Sequence, residues 1–144
     1  MNSYIRESAM GRMLILFLEK GDLVLENIHE QSAKYGISDG VILSGIGSLR
    51  KLEYHAIKSL GNTPEDEFFT IEAPLELGSL QGLLIDGKAH LHTVCSALDR
   101  TTYAGHLEPG SEVQYLVEIS ILEIKDANLT RRFNENGINC IISK

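Results

Sequence analysis

Residues 80–97 read LQGLLIDGKAHLHTVCSA, and this stretch decides the fold. Asp86-Gly87 stands between two strand-forming runs, and such a dipeptide is a strong signal for a two-residue hairpin because both positions tolerate positive φ. The segment is expected to be a β-hairpin whose returning strand carries His90 and His92. Residues two apart in a strand share a face, with Cα atoms roughly 6.5–7 Å apart. The two imidazoles project side by side while Leu91 points the other way.

The flanking sequence continues in strand-like runs. Upstream, residues 68–71 (FFTI) form a strand that Pro74 is expected to end, and 75–78 lead into the hairpin. Residues 40–57 are rich in β-branched and apolar side chains and contain Gly45 and Gly47. No third glycine or helix follows that pair, so the two glycines point to a bulge or a close backbone approach rather than a dinucleotide loop. His55, isolated within this strand, is read as having no chemical role. Downstream, a break at Asp99-Arg100 precedes TTYAGHL, which brings His106 onto an adjacent strand, and Glu108-Pro109-Gly110 makes another turn. In residues 111–124, Val113, Tyr115, Val117, Ile119 and Ile121 alternate as the buried face, with an interruption expected near Leu122. The apolar residues 138–142 form a last short strand.

Only one helix is evident. Asp22 is the expected N-cap and Gly36 the C′ residue, with Leu25, Ile28, Ser32 and Tyr35 on the face that covers the sheet. Residues 13–18 (MLILFL) read as a buried strand before it. The fold class is therefore α/β in the broad, α+β sense: a mixed, largely antiparallel sheet with one covering helix. Residues 1–11 are expected to be loose, and 12–144 form a single domain.

Composition narrows the function. The chain has 144 residues, 43% of them apolar and 23% charged, which suits one ordinary globular core. Its net charge is −7, and cations adjoin only in pairs such as Arg50-Lys51 and Arg131-Arg132, so tight, autonomous binding to nucleic acid is disfavoured. The six-residue apolar run at 13–18 is too short for a signal or membrane segment. A cytoplasmic chain is expected, with Cys95 and Cys140 as reduced thiols.

His90, His92 and His106 have the donors and spacing for one metal ion. Zinc binds imidazole nitrogen at about 2.0–2.1 Å, and three histidines with a fourth position open mark an accessible site rather than a closed structural one. The alternative is a hydrated polar strand face. Cys95, at an odd offset from His92, lies on the opposite face. The chain is too short for a (β/α)₈ metal hydrolase, lacks the glutamate a cupin carries after the pair, and lacks the Pro-Cys-x-x-Cys of zinc deaminases.

Several blocks, in order, resemble one family. GDLVLENIHEQSAKYGI (21–37), VILSGIGSLRKLEY (41–54), EAPLELGSLQGLL (72–84), AHLH (89–92), DRTTYAGHL (99–107) and EPGSEVQYLVEISILE (108–123) together are similar to the PPC (plants and prokaryotes conserved) domain. The resemblance implies a homotrimer and a zinc ion held by His90, His92 and His106. It also places Arg100 and Glu118 at family positions, Glu118 as a candidate hydrogen-bond partner of a ligating imidazole, while Gly105 would serve close packing beside His106. Family members in plants carry an AT-hook, and no Arg-Gly-Arg-Pro hook occurs here. The implied function is a zinc-binding regulatory or interaction module with indirect DNA association. The competing reading is a zinc-dependent hydrolase or lyase acting on a small molecule.

Overall fold

The computed structural model of the chain describes Ser3 and residues 10–144. Among these described residues, eight strands and one helix follow in the order β1 (Met10–Glu19), α1 (Val24–Lys34), β2 (Gly40–Ile57), β3 (Asp66–Ile85), β4 (Lys88–Ala97), β5 (Thr102–Leu107), β6 (Glu112–Ile124), β7 (Leu129–Phe133) and β8 (Asn139–Ser143). Of the segment expected to be loose, Met10 and Gly11 begin β1; residues 1, 2 and 4–9 lie outside the described residues.

Six strands form one sheet in the order β1-β6-β2-β3-β4-β5, and β7 and β8 pair as a separate hairpin. All described pairings are antiparallel, so the expected mixed sheet is in fact antiparallel, and strand far outweighs helix. The device that positions the site is the length of β2. Its first part, Gly40 to Lys51, pairs with β6; farther along the same edge, Tyr54 and His55 pair with β5. Since β3 and β4 complete the circuit from β2 to β5, the sheet closes locally into a small barrel.

The hairpin forms as its sequence dictates, with Ile85 opposite Lys88 and positive φ at Asp86 (53°) and Gly87 (71°). Pro74 does not end a strand. It sits inside β3 beside the register shift between Leu49 and Lys51 of β2, where its missing N–H leaves no ladder bond unmade. The glycine pair in β2 acts by close approach: a Cβ on Gly45 would lie 2.7 Å from Leu80 Cβ, and one on Gly47 would overlap the Leu116 carbonyl. The irregularity expected near Leu122 is present as register shifts with both neighbours, Met10 pairing with Ile124 but Met13 with Leu122, and Ile42 with Ile121 but Ser44 with Ser120. A further bulge falls at residues 114–116, where Gly47 pairs with Val117 and Leu49 with Val113. That bulge turns Tyr115 outward, leaving it 73% exposed.

Helix α1 buries Val24, Leu25, Ile28 and Ser32 against the sheet; Tyr35, past the last turn, is exposed. Asp22 is not its cap. The carboxylate instead accepts the Glu19 N–H at 2.8 Å, and the Val24 N–H at the helix start donates to the Ser111 carbonyl at 2.9 Å. The far end meets expectation: Gly36 has φ 67°, Ile37 N–H donates to Ser32 O and Gly36 N–H to Ala33 O, a Schellman motif. The core joins Leu16, Leu18, Ile28, Leu49, Leu52, Leu80, Leu91 and Ile119 with Cys95. Among the described residues no helix is long and apolar enough to cross a membrane.

One ion pair ties β1 to β6. Arg12 donates from its backbone N, Nε and Nη2 to Glu123 at 2.9, 2.9 and 2.8 Å. The side-chain hydrogen bonds, with the backbone one, hold the Glu123 carboxyl at about 2 against an ordinary 4.5. A folded value below the unfolded one means the stabilisation is complete above about pH 4.5 and disappears as the pH falls toward about 2. Arg12→Ala is therefore expected to lower the urea midpoint near pH 7, with the deficit closing as acid is added. Equal midpoints at neutral pH would contradict this.

Candidate metal centre

The site is assembled by register. His92 of β4 stands directly opposite His106 of β5, and His106 stands opposite His55 of β2 on its other side. His90 lies two residues before His92 on the same face. Leu91, Thr93 and Cys95 take the alternate positions and are buried, so the histidines share the outer side of the sheet. Gly105 permits this closeness, since a Cβ there would overlap the His55 carbonyl oxygen and lie 2.7 Å from Tyr54 Cδ2.

His90 Nε2 and His92 Nε2 are 3.4 Å apart. Two ligands bound at 2.0–2.1 Å in tetrahedral geometry have nitrogens roughly 3.3 Å apart, so the pair has the separation a shared ion requires. One ring nitrogen from each of His90, His92 and His106 falls within 4.8 Å of the others. The donor set, three imidazoles without a thiolate, suits zinc among the first-row metals that imidazole binds.

Electrostatics keep two of these rings ready. Burial, then the neighbouring His55, His90 and His92, holds His106 down to about 4, with Asp66 acting weakly in the opposite sense. Burial first, then Arg131, His92 and His55, also lowers His90. At His90 and His106 the neutral imidazole, which offers a lone pair, is therefore favoured near pH 7.

His55, read from the sequence as isolated in its strand, stands in this constellation. Its ring stacks on His106 at 4.5 Å between centroids, and its Nδ1 lies 2.6 Å from Glu108 Oε1. His55, His106 and Glu108 form a second group of possible ligands sharing His106. The signal was present in His106-Leu107-Glu108, whose spacing puts histidine and carboxylate on one side. The neighbour that completes it comes from a strand fifty residues earlier and has no local signature.

A cavity of about 680 Å³ opens on the site, lined by His55, His90, His92 and His106 and, across it, by the β7–β8 hairpin through Arg131, Phe133 and Ile138. Gly105 lines it too. Arg100 and Glu118 do not. Arg100, with φ 71°, donates its N–H to Ala97 O in the β4–β5 turn, at the other end of β4 from His90. Glu118 is exposed on β6, paired with Phe17 and Ile46.

A family model, the Plants and Prokaryotes Conserved (PCC) domain, matches residues 5–125. The chain belongs to this family. The match spans β1 through β6, including all four histidines of the cavity, and ends before β7. Three solved structures share the PCC fold. A plant- and prokaryote-conserved protein from Pyrococcus horikoshii aligns with TM-score 0.84 and 23% identity, covering 99% of each chain. A metal-containing protein from Archaeoglobus fulgidus aligns with TM-score 0.83 and 24% identity, over 98% of this chain and 100% of that one. A candidate DNA-binding protein from Bacteroides thetaiotaomicron gives 0.77 and 20%, over 96% and 99%. Among curated proteins, the bifunctional protein GlmU of Synechococcus sp. (strain JA-3-3Ab) is 26% identical over 121 residues, 84% of this chain. The chain spans 18% of that relative's length.

Proposed function

We propose that this PCC domain is a trimeric regulatory or interaction module that holds one zinc ion on His90, His92 and His106 and offers the ion's open position to a small ligand. The observation that carries the reading is the convergence of the three imidazoles, with His90 and His92 Nε2 3.4 Å apart. The metal content of the Archaeoglobus relative supports it. Elemental analysis of the purified chain is expected to give close to one zinc per protomer. No zinc after incubation with the ion would remove the reading.

The exposed face of β1 supports assembly. Leu14, Leu16 and Leu18 face inward, yet Met13, Ile15 and Phe17 on the other face are also apolar and 48%, 73% and 57% exposed in one protomer. A strand apolar on both faces suits burial on both faces. Leu43, Ile46 and Leu116 on neighbouring strands extend the exposed apolar surface. Light scattering is expected to give the mass of three chains, and Phe17→Asp to shift it toward one. A parent already running as one chain would contradict the assembly.

DNA association, suggested by the Bacteroides relative, is proposed only as indirect. Besides the charge of −7, Arg12, Arg50, Lys51, Lys58 and Lys144 are each engaged by a carboxylate within 4.0 Å, so they do not present free cations to phosphate.

One observation favours the hydrolase or lyase reading. The His55–Glu108 pair provides a carboxylate-oriented imidazole in the cavity, a group that can hold or pass a proton. Zinc, when bound, would supply Lewis acidity there. Under that reading His55→Asn abolishes turnover and leaves zinc content unchanged.

A further inference from the structure

The β7–β8 hairpin lies beyond the residues that match the family model, and it brings a cation to the histidine cavity. Arg131 of β7 is partly buried there, and its Nε is shielded from solvent without any hydrogen-bond acceptor among the described residues. Among the described residues its side chain makes one long hydrogen bond, from Nη1 to the Asn139 carbonyl at 3.5 Å. No carboxylate pairs with Arg131 among the described residues, unlike the five cations engaged elsewhere. With Nε shielded and no carboxylate paired, the guanidinium holds an uncompensated positive charge beside the cavity, which an anion entering it would offset.

The rest of the lining defines that anion. Lys88 adds a second positive charge, and the acidic group present, Asp66, stands 3.9 Å from His55 Nε2. Ile57, Phe133 and Ile138 give the cavity apolar walls, and its volume of about 680 Å³ is that of a small-molecule site. A planar guanidinium fork matches the two oxygens of a carboxylate or phosphate better than any point charge. We infer that the cavity recognises the oxyanion head of a small, partly apolar molecule through Arg131, with Lys88 assisting. The inference deepens the proposed metal centre and rests on it only for the ligand's second anchor, the ion.

Calorimetric titration with malonate and with inorganic phosphate, on zinc-loaded and zinc-free chain, tests it. The zinc-loaded parent is expected to bind one probe, malonate if the head is a carboxylate and phosphate if it is a phosphoryl group. Arg131→Gln should weaken that binding roughly tenfold or more while zinc content stays that of the parent. Arg131→Lys, which keeps the charge and loses the fork, should weaken it severalfold and serves if the glutamine variant does not fold. Failure of the zinc-loaded parent to bind either probe, or equal affinity in a folded Arg131 variant, would overturn the inference. A chain that takes up no zinc but binds a probe through Arg131 would remove the metal reading and leave this one standing.

Discussion

His92→Ala is expected to lose its zinc while keeping its fold. The side chain is exposed and supports no core contact, so its removal should change stability by less than about 0.5 kcal/mol in the metal-free chain. The metal effect is far larger, because losing one of three protein ligands exceeds the ~10–100-fold cost of disturbing an outer partner. Two measurements read the outcome. Mass-spectrometric metal analysis should fall from near one zinc per protomer to background. Thermal unfolding should show the parent stabilised by added zinc, by ~2.7 kcal/mol at a hundredfold excess over its dissociation constant, and the variant not at all. Zinc retained by the variant would shift the site to the other cluster, His55, His106 and Glu108.

The second large effect concerns packing rather than ligation. Gly105 lets β5 approach β2, and the added methyl of Gly105→Ala would strike the His55 carbonyl and the Tyr54 ring, both in the closed part of the barrel. Neither obstacle is the free end of a flexible side chain. The expected cost is about 1–3 kcal/mol, the range for overpacking. Because the displaced strand carries His106, zinc affinity should fall with stability. The urea midpoint and a zinc competition titration on the same preparation separate the two effects. A variant as stable as the parent, with unchanged affinity, would mean that β2 and β5 are not as close as described.

Sequence reasoning reached what local chemistry encodes. The Asp86-Gly87 turn, the period-two placement of His90 and His92, and Gly36 at the helix end are each set by neighbours a few residues away. The errors share a different origin. Asp22 has the right residue type for a cap, but the turn it stabilises lies before the helix, and Ser111, ninety residues later, satisfies the helix start. Pro74 looked like a terminator because the bulge that seats it, with Ala73 and Pro74 of β3 opposite Arg50 of β2, is set by strand pairing and cannot be read from one strand. Tyr115 follows the alternation in sequence and breaks it in space, since the bulge opposite Ser48 turns it outward. His55 was overlooked for the same reason: its place in the cluster depends on β2 leaving β6 and reaching β5, a non-local pairing. Glu118 was singled out by its family position and the polar face of its strand; within one chain that strand runs beside the half of β2 distant from the histidines.

X-ray absorption at the zinc edge of the loaded parent tests the central claim most directly, because it reports the donors around the ion. Three imidazole nitrogens near ~2.0–2.1 Å and a single additional light atom are predicted, with the imidazole contribution lost in His92→Ala. A sulfur shell near ~2.3 Å, or a shell of oxygens without imidazole, would contradict the three-histidine centre.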